Sequence, residues 1–289
     1  MRDVSEWSFI GYGENSTLEK IELLSPEDEY YVMKFPREFD EKRTNWEDVN
    51  EIIAAEIAKK LDLPVIEAQI AYRNGRRGCL MKNFRLQLQA DYGETVATLL
   101  SSEFGEKYEC LHESPIPNQE RLERYMTLFQ SFSLYSELKE FFVQMNLFDV
   151  LIGNQDRHAH NWQVLYRDGV PFYGPLYDNG ASLGWQLPDV RLKAMMESEE
   201  KKYKYFKKTT LKLGLDNKEI PKIKSNTVLD FLKTHYVNEC SLFLERLKNF
   251  PVSDMESYIH NFPLLTEVRK QFLIQTIYYR MEKIKQKLT

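Results

Sequence analysis

Cysteine is scarce in this 289-residue chain: Cys79, Cys110 and Cys240 are the whole set. Their scatter and odd number give no disulfide framework, and no Cys-x-x-Cys or Cys/His spacing suggests zinc. A reducing compartment is expected. No uninterrupted apolar run approaches the ~20 residues that a membrane helix needs. The opening segment MRDVSEWSFIGYG lacks the apolar centre of a signal peptide. A cytoplasmic location is therefore expected, and secretion by a route without an N-terminal signal is compatible with the sequence. Excess positive charge is also missing: 39 Lys and Arg against 44 Asp and Glu give a net charge of −5. That balance supplies no global field for nucleic acid or an anionic membrane, and direct nucleic-acid binding is not expected. Internal repeats and low-complexity tails are absent. What remains is 43% hydrophobic and 29% charged, an ordinary globular composition. The length suffices for one large domain or two lobes.

The first third reads as strands around one helix. SFIGYG, then LEKIELL, then YYVMKFP are extended runs separated by turns, with Gly11 and Gly13 in the first turn and Lys34 inside the third run. The loop GYGENS offers small residues, amides and the Ser16 hydroxyl to a phosphate. No Gly-Lys-Ser/Thr follows, and a glycine pair is also what an ordinary hairpin needs. Lys34 reads either as an edge lysine reaching water or as a cation for nucleotide phosphates. Residues 46–61 read as an amphipathic helix with Ile52, Ile53, Ile57, Ala58 and Leu61 as its stripe, ended by Asp62 and Pro64. Glu51 and Glu56 lie about 140° apart on such a helix, so one of them can face Lys34. Residues 65–84 read as a hairpin turning at Asn-Gly.

Beyond a boundary placed at 83–88 the pattern changes. Residues 86–118 read as loop-rich. Helical spacing then dominates in 119–130, 137–153, 189–200, 226–250 and 266–287. The run KKYKYFKK (201–208) holds five lysines among aromatics. Beside ESEE it reads as a solvated helical face, with substrate docking as the alternative.

Chemistry concentrates in 151–185, LIGNQDRHAHNWQVLYRDGVPFYGPLYDNGASLGW. Phosphoryl transfer from ATP needs an acid to orient or deprotonate a hydroxyl, oxygen ligands for Mg²⁺, and a cation for the phosphates. Asp156 and Asn161 are five residues apart, the Asp-to-Asn spacing of a protein-kinase catalytic loop. Asp178 follows after a hairpin, WQVLY-RDG-PFYGPLY, in the context YDN rather than DFG. His158 and His160 with Asp178 could instead bind zinc. Lys34, a helix with an inward acid, Asp156, Asn161 and Asp178 form an ordered set of the parts that phosphoryl transfer requires.

GNQDRHAHN followed by LYDNGAS resembles the HipA-like serine/threonine kinases, whose motif is Asp-x-His-x-x-Asn and then Tyr-Asp. SFIGYGENS resembles that family's phosphate loop, YYVMKFP its lysine strand, and NEIIAAEIAKKLDLPVIEAQI its Asn-Glu helix, which selects Glu51 over Glu56. The resemblance spans about 8–84 and 125–185. It implies an α+β, two-lobed protein-kinase-like fold. The N-lobe would be a small antiparallel sheet with one helix (1–85). The C-lobe would be larger and mainly helical (86–289), with a catalytic loop at 153–161 and a metal-binding segment at 176–182. It implies ATP and Mg²⁺ as cofactors and a protein substrate with a serine or threonine acceptor. Asp156 would be the base or orienting acid and His158 the brace of its loop. Asn161 and Asp178 would bind Mg²⁺. Lys34, partnered by Glu51, would hold the α- and β-phosphates, with Gly11, Gly13 and Ser16 over them. Met81, Lys82 and Asn83 would form the hinge near adenine. Ser8 and Ser16 would be the candidates for autophosphorylation. The family's additional N-terminal subdomain is not expected in this stand-alone form. DRH in the loop also resembles the phosphatidylinositol kinases, so a lipid or small-molecule acceptor stays open. A nucleotide-binding pseudokinase or scaffold is the reading from another class.

Overall fold

The computed structural model describes residues 1–13, 18–40, 43–113, 118–216 and 222–289. Ser16 lies outside the described residues. The N-terminal part is built from β1 (Arg2–Asp3), β2 (Ser8–Tyr12), β3 (Lys20–Leu24), β4 (Tyr30–Lys34), the short β5 (Glu38–Asp40) and β6 (Arg43–Thr44), α1 (Glu47–Lys60), β7 (Ala68–Arg73) and β8 (Arg76–Lys82). Six strands form one sheet in the order β1-β7-β8-β4-β3-β2. All pairings are antiparallel except β1 with β7. The β7–β8 turn is Asn74-Gly75 with both φ values positive, 50° and 77°, as a type I′ hairpin requires.

Alternation along these strands splits their side chains between two cores. Ile21, Leu23, Tyr31, Met33, Ala71 and Leu80 point to a small cluster with Val4, Trp7 and Phe35. Ile70, Cys79 and Met81 point the other way, onto α1 and the large core. That large core runs without a break from α1 into the C-terminal helices. Helix α1 is the helix expected over 46–61, and its stripe Ile52, Ile53, Ile57, Ala58 and Leu61 is buried. It is buried on nearly every side, including Glu47, Asp48, Asn50 and Glu51, and Glu56 reaches Lys60 at 3.3 Å instead. Burial extends beyond the stripe because Glu47, Asp48 and Glu51 line a cleft instead of facing open solvent.

The rest of the chain follows as α2 (Phe84–Gln87), β9 (Tyr92–Thr95), α3 (Val96–Phe104), α4 (Glu106–Glu113), α5 (Asn118–Gln130), α6 (Tyr135–Ile152), β10 (Gln163–Arg167) and β11 (Val170–Tyr173). Then come α7 (Asp189–Met196), α8 (Glu199–Lys207), β12 (Thr210–Leu211), β13 (Ile223–Lys224), α9 (Ser225–His235), α10 (Val237–Lys248), α11 (Val252–His260) and α12 (Glu267–Leu288). The expectation of a loop-rich stretch at 86–118 is overturned over 92–113, and 114–117 lie outside the described residues. Thr95 caps α3 through the Thr98 amide at 3.2 Å, and Gly105 at φ 51° ends it before α4 begins. Short helices set end to end leave too few turns for a clear apolar period. The segment 226–250 is likewise two helices, split at Tyr236, and α11 was not foreseen. Strand β9 pairs with β10 to make the three-stranded sheet β11-β10-β9. The lysine run forms α8, where Lys201, Lys202 and Lys204 pair with Glu197, Glu199 and Glu200. Among the described residues no helix is long and apolar enough to cross a membrane.

Helix α6 positions the site. Phe141, Phe142, Met145, Phe148, Leu151 and Ile152 sit among its fully buried residues. Each such side chain contributes about 1.5–3 kcal/mol by burial. Gln144 and Asn146 are buried too, and each donates its amide N–H to a carbonyl. Gln144 Nε2 donates to the Glu239 carbonyl at 2.8 Å, and Asn146 Nδ2 donates to the Phe142 carbonyl at 2.9 Å. Gly153 ends the helix at φ 67°. A Cβ there would lie 2.9 Å from Nη2 of Arg280.

Candidate active site

A cleft of about 430 Å³ lies where β4, α1 and the loop after α6 meet, and Lys34, Glu51, Asp156, His158, Asn161 and Asp178 all line it. Six residues chosen from sequence thus converge on one cavity. Leu18, Arg37, Cys79, Gln155, Trp185, Gln186 and Lys222 also line it.

Lys34 forms an ion pair with Asp178 across the cleft. Burial pushes the Asp178 carboxyl up, but the Lys34 ammonium, its hydrogen bond and the Arg157 charge outweigh it and hold it below the usual range. Asp178 has φ 57°, in the left-handed region that is costly for a residue with a Cβ. Glu51 is buried behind this pair. It accepts from Asn179 Nδ2 at 3.1 Å rather than from Lys34. Burial, then the Asp178 charge, pushes its carboxyl up to about 7. Lys34 is nonetheless held above its ordinary value: burial lowers it, and the Asp178 and Glu51 charges more than reverse this.

The loop after α6 that carries Asp156 rests on Arg157. Its guanidinium is fully buried and donates to both carboxylate oxygens of Asp149, at 3.0 and 3.2 Å. It donates also to the Asn161 carbonyl at 2.9 Å, to the Tyr177 carbonyl and to Asn179 Oδ1. One side chain therefore joins α6, the catalytic loop and the Asp178 segment. The loop is tied further by the Asp156 amide donating to Asn154 Oδ1 at 3.1 Å and by the Gln155 amide donating to the Ala181 carbonyl at 3.2 Å. Asn161 Nδ2 donates to the Asp156 carbonyl at 2.8 Å. That bond commits the amide nitrogen, so Oδ1 is the atom that could serve as a ligand. Asn50 Nδ2 binds the Ser182 carbonyl at 2.7 Å, which docks α1 onto the same segment. Gly180 is required: a Cβ would stand 2.5 Å from the Glu47 carbonyl oxygen.

Other expected positions fall elsewhere. Met81, Lys82 and Asn83 do not line this cleft. Lys82 pairs with Glu29, and Asn83 caps α2 through the amides of Arg85 and Leu86. Gly11 lies in β2 at a bulge, and Ser8 is exposed on the same strand. Gly13 follows β2, and a Cβ on it would meet the Lys20 side chain. His158 is buried with its ring 5.8 Å from that of His160. Among the described residues no cluster of three or more His, Cys, Asp or Glu could hold a metal, which removes the zinc alternative there. One carboxylate and one amide oxygen, Asp178 and Asn161, instead fit a hard divalent cation that completes its shell with phosphate and water.

The chain matches the HipA-like C-terminal domain over residues 15–234. It belongs to that family. It is 27% identical over 271 residues to the serine/threonine-protein kinase CtkA of Helicobacter pylori, covering 89% of this chain and 77% of the relative. The crystal structure of the H. pylori proinflammatory kinase CtkA superposes with a TM-score of 0.77 at 22% identity, covering 99% of this chain and 98% of that one. HipA of Shewanella oneidensis MR-1, solved with HipB and operator DNA, superposes at 0.55 with 15% identity, over 98% of this chain and 68% of its own. The fold is thus the protein-kinase-like α+β fold. Asp149 and Asn179 were not singled out from sequence, and Arg157 was read only as the arginine of DRH. The one available signal was an arginine inside a loop that follows a buried aspartate.

Proposed function

We propose that this HipA-family chain is an ATP- and Mg²⁺-dependent kinase that phosphorylates serine or threonine in proteins, itself included. The observation that carries the reading is the convergence of Lys34, Asp156, Asn161 and Asp178 on one cleft. Bound Mg²⁺-ATP supplies the phosphoryl group and the charge compensation around it. Asn161 Oδ1 and the Asp178 carboxylate would hold the metal, and Lys34 would hold the phosphates. Lys34 and Asp178 exchange their mutual ion pair for these partners. Asp156, with 48% of its side chain exposed, accepts the hydroxyl proton of the acceptor. Arg157, the arginine of the DRH sequence, is fully buried and bonded away from the acceptor side. Its presence therefore carries no preference for a lipid acceptor, which favours the protein reading.

The test is mass spectrometry of the protein and of a generic acceptor protein before and after Mg²⁺-ATP. Phosphoserine or phosphothreonine on either is the expected result. Phosphate on an offered lipid or aminoglycoside alone would overturn the acceptor class, and nucleotide binding without transfer to any acceptor would favour a pseudokinase. Ser8 is the described candidate for self-modification.

A further inference from the structure

The segment 209–216 runs beneath the catalytic loop and is fastened to it twice. The Gly214 amide donates to the Arg157 carbonyl at 2.7 Å, and the Ala159 amide donates to the Asp216 carbonyl at 2.9 Å. Trp162 Nε1 donates to the Gly214 carbonyl at 2.7 Å, and the Tyr108 hydroxyl donates to the Leu215 carbonyl at 2.8 Å. Leu211, Leu213 and Leu215 alternate into the core. Lys212, between two of them, is only 2% exposed. A buried ammonium is costly unless an anion stands near. Here Nζ lies 3.8 Å from Oδ1 of Asp156. Asp216 also feels the Lys212 charge. Lys212 does not line the nucleotide cleft, whereas Asp156 does.

We infer that Lys212 is a positioning residue for the reaction: its ammonium holds the Asp156 carboxylate, from outside the cleft, in the rotamer that meets the acceptor hydroxyl. A half-exposed aspartate without such a partner samples several staggered wells and spends only part of its time in a productive one. The strap fixes the lysine, and the lysine fixes the acid. The catalytic consequence rests on the phosphotransferase reading above, while the ion pair itself is measurable without turnover.

Two measurements test it. The first is a thermal-unfolding cycle of Asp156→Asn, Lys212→Met and the double variant. Removing the Asp156 charge takes away one of the anions near the buried ammonium, so Asp156→Asn lowers Tm, and the loss shrinks once Lys212 is Met. Additive shifts would overturn the pair. The second is steady-state kinetics. Lys212→Met lowers kcat about 10- to 100-fold with the KM for ATP within about twofold of wild type. Lys212→Arg, which keeps the charge, restores part of the loss. An unchanged kcat in Lys212→Met, or a fall accompanied by a matching rise in KM for ATP, would overturn the positioning role. A non-additive thermal cycle in a protein that transfers no phosphate supports the pair and places the failure in the phosphotransferase reading.

Discussion

Lys34 and Asp156 face the same cleft from opposite walls and are held in different ways. Lys34 extends from the sheet and is anchored by an ion pair to Asp178, a group that belongs to the other wall. Asp156 stands in a loop fastened by Asn154, Ala181 and Asn161, above an arginine with five hydrogen bonds and a strap bonded to it twice. The sheet wall is completed by contacts that a nucleotide and its metal would replace. The helical wall is held by bonds within the chain. Pre-organisation of that kind lets binding energy go into the reaction rather than into ordering the loop.

Removing Arg157 tests the helical wall most severely. Arg157→Leu strands the Asp149 carboxylate, already pushed up by burial, and is expected to cost about 3–5 kcal/mol in denaturant unfolding. A loss below about 1 kcal/mol would mean that the wall is not organised around this residue. The sheet wall is tested through its shared partner. Asp178→Asn should weaken Mg²⁺-dependent ATP binding about 100-fold in calorimetry, near 2.7 kcal/mol, with the fold intact. If magnesium strengthens ATP binding as much in the variant as in wild type, the metal role of Asp178 is wrong. Gly180→Ala probes the seam between the walls. Its Cβ would press on the Glu47 carbonyl oxygen, 2.5 Å away, for an expected destabilisation of about 1–3 kcal/mol. No change in stability would show that α1 and the Asp178 segment can part freely.

The smallest expected effect concerns pH. Burial pushes the Asp216 carboxyl, beneath the catalytic loop, up to about 7. A raised carboxyl pKa means that the folded state holds the proton more tightly than the unfolded one. Its contribution to stability is therefore full below the unfolded pKa near 4 and is lost as pH rises through about 7. Asp216→Asn should flatten that loss, gaining about 1 kcal/mol over wild type at pH 8. Equal Tm-versus-pH curves for the two proteins would remove Asp216 from the account.

The contrast between the walls also explains what the sequence could tell. Lys34, Asp156, Asn161 and Asp178 were legible because their chemistry restricts residue type and order. The long helix α6 and the hairpins were legible through period and through Asn-Gly and Asp-Gly turns. The structural roles of Arg157 and Lys212 were not, since an arginine or lysine reads as solvated until tertiary packing buries it. Glu51 was legible through the Asn-Glu pattern, whereas the burial of Glu47, Asp48 and Asn50 on the same helix was not, because acids and amides on a helix read as solvated until packing covers them. The helices between 96 and 113 hid because each is too short to declare a period.

The most direct measurement is single-turnover transfer from γ-labelled ATP with and without Mg²⁺, in wild type and in Asp156→Asn. The account predicts labelled protein only in wild type and only with the metal. Equal labelling of both proteins, or labelling of neither at saturating nucleotide with every acceptor class offered, would contradict it.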